Sequence, residues 1–379
     1  MSIQLFTPTY RVDECLKEIK DCLEIGWTGI GYKTDEFEKA WIKYTGLPYA
    51  HFLNSATAGL HLAVKLLKLK YDWQDGDEII TTPITFVSTN HAILYEGLKP
   101  IFADVDEYLC LDPKDIEKKI TSRTRAVMFV GMGGSTGKYQ EIVETCVKYN
   151  LRLILDAAHM AGTRLNGIIP GKEADAVVYS FQAVKNLPTA DSGMVCFADE
   201  ELDTMCRKFS WLGINKDTYS RISNGGNYKW KYDVDYLGYK YHSNSIMAAM
   251  GLVGLKYLDE DNQSRQKLAA RYSTNFSAYS NKIQLIPAPK GCISSTHLYI
   301  IKVHNRDELL NVLNETGIYP GVHYTDNTQY SMYSYAKGTC PNAVKASDML
   351  LSLPLSLRIT DKEIDFISSA VIKYARRAG

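Results

Sequence analysis

Between residues 50 and 200, short apolar runs alternate with segments of helical period, and few folds accommodate that alternation. EIITT (78–82), KPIFADVD (99–106), RAVMFVG (125–131), LRLILDAA (151–158), DAVVYSF (175–181) and GMVCF (193–197) read as strands. Between them Leu60, Ala63, Val64 and Leu67 fall at i, i+3, i+4, i+7, one face of a helix, and Ile142, Val143, Cys146 and Val147 repeat the pattern after Gly137. Strands alternating with helices predict an α/β domain whose sheet is mostly parallel and covered on both faces. Such sheets bind ligands beyond the carboxyl ends of their strands, so polar residues just after a strand are the first candidates for chemistry.

The chain has 379 residues, more than one small core needs. A long helix is expected at 244–258, with Ile246, Met250, Val253 and Tyr257 on one face. The aromatic segment before it, YKWKYDVDYLGYKYHSN (228–244), has no period and reads as a packed loop. A second, smaller α+β unit is expected over 258–379. It has a helix through RQKLAARYSTNFSAY, strands near 297–303 and a helix at 306–316, packed tightly on the first unit, 1–257.

Lysine plus arginine equals aspartate plus glutamate at 43 each, without long runs of one sign, so neither nucleic acid nor a membrane surface is expected as a partner. MSIQLFTPTYRVDE lacks the sections of a signal peptide, and no apolar run approaches a membrane span. The eight cysteines show no C-x-x-C pair or zinc spacing, which predicts buried thiols in a reducing cytoplasm and no metal site.

Asp156 closes the strand LRLILD, and Lys185 lies just past the next one, so both are expected at the same sheet edge. They read either as a structural salt bridge or as the two ends of a pyridoxal phosphate site. That cofactor needs a lysine for its aldehyde and a carboxylate for its ring nitrogen. NSATAGLHLAVKLL places small residues and Thr57 at a helix entry, which suits a phosphate or a plain cap. Phe86, after a strand, reads as core or as a ring that stacks on a planar cofactor. His159, three residues beyond Asp156, reads as a satisfied polar group or a residue lying over that ring. GMGGSTGKY (131–139) has Met132 and Tyr139 where a P-loop needs Gly and Ser or Thr, so it reads as a Gly-rich loop at the pocket mouth. No G-x-G-x-x-G follows a first strand.

Together TTPITFVSTNHAILYEGLKPIFADVD, LILDAAHMAGT, YSFQAVKNLPTADSG and GYKYHSNSIMAAMGLVGLKYL resemble the DegT-type sugar-nucleotide aminotransferases, over a span from GWTGIGYKTDEFE (26–38) to LSLPLSLRIT (351–360). The resemblance implies pyridoxal 5'-phosphate and the aspartate aminotransferase-like fold, fold type I, with residues 1–257 as the cofactor-binding domain. By position, Lys185 matches the Schiff-base lysine, Asp156 the partner of the ring nitrogen and His159 the residue near the ring hydroxyl. Phe86 matches the stacking ring, and Thr57, Ala58 and Ser180 the phosphate cradle. The small residues after Lys185 would then be clearance for substrate.

Two segments depart from the family pattern. GYKYHSN stands where relatives show GYNYR, which puts Lys240 at the asparagine that reaches the neighbouring subunit's phosphate. His323 and Tyr324 are the half of an HY-x-P-L-H motif that remains, in the region of the substrate. The implied reaction moves an amino group from glutamate to a 3- or 4-keto-6-deoxy sugar linked to a nucleotide diphosphate, for surface polysaccharide or a glycosylated metabolite. Lys185 would shuttle the proton, in a homodimer with shared sites. The rivals are a keto-sugar dehydratase, whose known members replace this lysine, commonly with histidine, and a cofactor-binding regulator without turnover.

Overall fold

The computed structural model describes residues 2–215 and 232–377. Its centre is a seven-stranded sheet: β1 (His51–Leu53), β2 (Glu78–Thr81), β3 (Lys99–Phe102), β4 (Thr124–Val130), β5 (Arg152–Asp156), β6 (Ala176–Ser180) and β7 (Gly193–Phe197). The strand order is β1-β7-β6-β5-β4-β2-β3. Every neighbouring pair is parallel except the two that β7 makes with β1 and β6. The α/β reading of 50–200 holds, and all six expected strands are present. β1 had given no signal, because three residues are too few to show a period.

The apolar strands are continuous because both faces of the sheet are buried. In β4, Ala126 and Met128 enter one core with Leu60, Ala63, Val64 and Leu67 of helix α1 (Ala56–Lys70). Val127 and Phe129 enter the opposite core with Ile142, Val143 and Cys146 of the helix Tyr139–Tyr149. Val147, expected on that buried face, is 77 % exposed and lies on the solvent side of the helix.

One unbroken helix, Ser245–Phe276, replaces the two expected at 244–258 and 265–279, so residue 258 falls within it. Of the expected stripe only Val253 is fully buried. The helix packs instead through Ala248, Ala249 and Gly251, and at Gly251 a Cβ would come within 2.6 Å of the Phe37 ring. Small residues let the helices approach, which a search for large apolar residues cannot see. The three-stranded sheet Gln284–Leu285, Tyr299–Lys302 and Leu350–Leu353 forms a third core with the helices Arg306–Glu315 and Asp361–Tyr374. Near the N-terminus, Ile3–Gln4 pairs in parallel with Ile318–Tyr319. Residues 228–231 of the aromatic loop lie outside the described residues, and 232–244 form no helix or strand beyond single bridges.

Candidate active site

A cavity of about 480 Å³ opens at the carboxyl ends of β5 and β6. It brings together Thr57, Phe86, Asp156, His159, Ser180 and Lys185. His323 and Tyr324, from far along the chain, complete its wall.

Asp156 is the last residue of β5 and is buried. Its Oδ2 accepts the Thr89 hydroxyl at 2.8 Å and its Oδ1 the Ala158 N–H at 3.1 Å. Burial pushes this carboxyl up, while Thr89, Ala158 and the charge of Lys185 oppose that. Such a group gains most from a cation or N–H at its free lone pairs. Thr89 is held in turn by Thr85, 2.8 Å away.

Lys185 follows β6 in a turn where its own N–H donates to the Gln182 carbonyl at 2.8 Å. Among the described residues its ammonium has no hydrogen bond or ion pair, so the salt-bridge reading of Asp156 and Lys185 is not what forms. Burial lowers its pKa to about 8, with Asp156 opposing the shift. An amine there is partly unprotonated near neutral pH and can both give and take a proton.

Two histidines meet beside it with ring centroids 4.5 Å apart. His159 Nδ1 accepts the Gly133 N–H at 3.2 Å, so the proton of the neutral ring is on Nε2, which donates to Tyr324 Oη at 3.2 Å. His297 has the opposite tautomer. Asn186 Nδ2 donates to the Ser295 carbonyl and to Asn262 Oδ1, both at 2.7 Å, so Asn186 Oδ1 must accept from His297 Nδ1 at 3.0 Å. That leaves the Nε2 lone pair of His297 available to the cavity. Burial and then the nearby Lys185 hold His159 and His297 well below the usual range and bring His323 to about 4. Three neutral imidazoles therefore surround one amine.

Helix α1 starts at the same cavity. Its cap is Ser55, whose Oγ accepts the Ala58 N–H at 3.1 Å, and Thr57 lies in the first turn. This corrects two expectations: Thr57 is not the cap, and Ala58, buried with its N–H spent on Ser55, does not line the cavity. The N–H groups of Ala56 and Thr57 have no partner among the described residues, and with Ser180 they form a site suited to an anion. Gly193 makes this possible, since a Cβ there would stand 2.5 Å from the Ala56 nitrogen. Gly193 thus clears room for the helix entry rather than for substrate.

Phe86 is 59 % exposed and lines the cavity, which excludes the core reading and leaves a ring face open to a planar ligand. The Gly-rich loop lies beneath the cavity instead of at its mouth: Met132, Gly133 and Gly134 are buried and do not line it. Lys240 is not in this cavity either; its ammonium lies 3.3 Å over the Trp211 ring. Sequence reasoning missed Thr89, Asn186 and His297. It also missed Phe6, which stacks on His297 at 5.6 Å and meets His323 edge-on at 5.7 Å. Asn186 could have been found from its place next to Lys185; Phe6 and His297 have no local signal.

The profile of the DegT/DnrJ/EryC1/StrS aminotransferase family matches residues 10–372. The spore coat polysaccharide biosynthesis protein SpsC of Bacillus subtilis is 35 % identical over 370 residues, covering 94 % of this chain and 93 % of SpsC. Among solved structures, the aminotransferase TlmJ of Streptoalloteichus hindustanus superposes with a TM-score of 0.90 at 29 % identity, covering 98 % of both chains. Helicobacter pylori PseC, an aminotransferase of pseudoaminic acid biosynthesis, gives 0.90 at 28 % identity over 98 % of this chain and 99 % of its own.

Proposed function

The chain belongs to the DegT/DnrJ/EryC1/StrS aminotransferase family, and on that footing we propose that it moves an amino group from glutamate to a 3- or 4-keto carbon of a nucleotide-diphosphate sugar, with pyridoxal phosphate as cofactor. The observation that carries this reading is Lys185 beside Asp156 in one cavity, its amine unpaired and lowered to about 8. The residues fit the cofactor in chemistry. Asp156 would accept a hydrogen bond from the protonated ring nitrogen, Phe86 would cover a ring face, and Ser180, Thr57 and the free N–H groups of α1 would take the phosphate. Lys185 would be the covalent attachment point.

When bound, pyridoxal phosphate supplies an aldehyde that captures amines and a protonated ring that draws electron density from the adjacent carbon. Lys185, whose buried amine has no partner, would hold and move the proton between the two carbons involved. His159, neutral with its proton on Nε2, orients Tyr324, whose own hydroxyl proton is left free to donate. His323, fixed through Nδ1 by Ser352 Oγ at 2.9 Å, stands with Tyr324 on the wall where the sugar is expected.

A homodimer with shared sites fits two features. Val12, Leu16, Leu23 and Ile25 leave apolar surface exposed on the helix Val12–Ile25, and Lys240 lies on the surface, where it could reach a neighbouring subunit's phosphate. Eight free thiols, and no helix among the described residues long and apolar enough to cross a membrane, are compatible with the cytoplasm. SpsC's name points to surface polysaccharide as the destination. The test is a panel of nucleotide-linked 3-keto and 4-keto sugars incubated with glutamate and holoenzyme, read by mass spectrometry. Amino-sugar and 2-oxoglutarate in equal amounts are expected. Absence of 2-oxoglutarate with every sugar would favour the regulator instead.

A further inference from the structure

His297 lines the active-site cavity and is 2 % exposed, just ahead of the strand Tyr299–Lys302. Its backbone N–H donates to the Gly133 carbonyl at 3.1 Å, while the N–H of the same glycine holds His159 Nδ1. Phe6 stacks on its ring with 9° between the planes, and the His159 ring packs against it. The imidazole is therefore fixed in position and in plane.

Its tautomer is set from outside the cavity. The carbonyls of Ala161 and Ser295 can only accept. Asn262 turns its Nδ2 to Ala161 at 2.9 Å, which leaves its Oδ1 to accept from Asn186 Nδ2 at 2.7 Å. Asn186 Nδ2 also donates to Ser295, so Asn186 Oδ1 faces His297 and accepts from Nδ1. Two side-chain amides anchored on two backbone carbonyls thus force a lone pair at His297 Nε2. That atom has no hydrogen bond among the described residues, and a buried acceptor without a donor is costly.

The donor follows by elimination. Lys185 is the only ammonium among the residues that line the cavity, and it has no partner either. It immediately precedes Asn186, the residue that orients His297. His159 cannot serve it, because its Nδ1 accepts from Gly133 and its Nε2 carries the proton. His323 is held through Nδ1 by the Ser352 hydroxyl, which can donate or accept, so nothing fixes a lone pair on its Nε2. The charge of Lys185 is second only to burial in holding His297 well below its usual range.

We propose that His297 Nε2 is the resting acceptor for the free Lys185 amine, a positioning residue that orients the amine whenever it is not covalently engaged. A neutral imidazole suits the task because it accepts the hydrogen bond without taking the proton. The consequence for proton transfer rests on the aminotransferase reading; the contact itself does not.

Nitrogen-15 NMR of cofactor-free protein labelled at histidine tests the contact. His297 should carry its proton on Nδ1. Its Nε2 signal should move in one step with a midpoint near 8, because an ammonium donates more strongly than an amine. The step should vanish in Lys185→Met. Asp156, His159, His323, Tyr324 and Arg265 also surround the pair, so a step that survives in Lys185→Met belongs to one of them and overturns the proposal. His159 feels the same charge without a free lone pair, so an equal step on both rings would show a field and no hydrogen bond. A proton found on His297 Nε2 would overturn it as well.

Two variants give a second readout in the same cofactor-free protein. His297→Asn can still donate to Asn186 but has no atom at the Nε2 position, whereas His297→Gln can place an oxygen there. The acylation midpoint of Lys185 should fall by about one pH unit in His297→Asn and by less in His297→Gln. A purely structural histidine predicts the wild-type midpoint in both, and that result would overturn the proposal. Failure of the aminotransferase reading would show instead as absent 2-oxoglutarate, with the NMR step and the acylation shift unchanged.

Discussion

Gly133 donates its backbone N–H to His159 Nδ1 at 3.2 Å, and that bond decides which proton the imidazole carries. A backbone amide cannot accept, so Nε2 holds the hydrogen and Tyr324 Oη receives it at 3.2 Å. With His159 held far below its ordinary pKa, first by burial and then by Lys185, its nitrogen-15 signals should show the Nε2–H tautomer without titrating between about pH 5 and 8. Tyr324→Phe should leave the tautomer in place, because Gly133 sets it, and slow the reaction roughly tenfold by removing one oriented hydroxyl. A titrating His159, or a Tyr324→Phe variant at full rate, would contradict this arrangement.

Lys185 titrates where it does because two effects oppose each other. Burial lowers its pKa and Asp156 raises it, with the balance at about 8. In cofactor-free protein, acylation of Lys185 should therefore increase with pH through a midpoint near 8. Asp156→Asn removes the raising charge, so the midpoint should move lower. Mass spectrometry of the labelled peptide across pH reads both. A midpoint that rises in Asp156→Asn would mean that the Asp156 charge does not hold the pKa of Lys185 up. Lys185→Ala should abolish amino transfer altogether.

Thr89 is the only side chain that donates to Asp156 among the described residues, through Oδ2 at 2.8 Å. Thr89→Val keeps the shape and removes the donor, costing about 1.5–3 kcal/mol for a hydrogen bond to a charged group. The Asp156 carboxyl should move up further, and cofactor affinity should fall roughly tenfold or more in a fluorescence titration. Thr89→Ser should restore most of it; if it does not, the methyl contact rather than the hydroxyl is what Asp156 requires.

The parts of the site that were legible in sequence lie where local pattern and chain order coincide. Asp156 and Ser180 end, and Lys185 follows, strands whose apolar runs are continuous because both faces are buried, so their place at the sheet edge could be read directly. Phe6, His297 and Tyr324 reach the same cavity from the N-terminus and the C-terminal third, and only Tyr324, through a family motif, gave any sign of it. Spacing carries no information about contacts of that range. The long helix was cut in two because its packing relies on Ala248, Ala249 and Gly251, while large apolar residues such as Ile246 and Met250 stay partly exposed.

Gly193 links the sheet to the anion site, and its replacement separates packing from chemistry. A Cβ there would lie 2.5 Å from the Ala56 nitrogen and 2.6 Å from the Ser55 carbonyl carbon, both backbone atoms that no rotamer change can move. Gly193→Ala must therefore shift the start of α1 or the start of β7, at a cost of about 1–3 kcal/mol for overpacking. The N–H groups of Ala56 and Thr57 move with that shift, so cofactor affinity should fall by more than thermal stability alone explains. The control is Gly254→Ala, where a Cβ would come no nearer than 3.3 Å to the Leu187 side chain, outside the cavity. It should lower the melting temperature little and leave cofactor affinity unchanged. Equal losses of affinity in the two variants would show that the helix entry does not hold the phosphate.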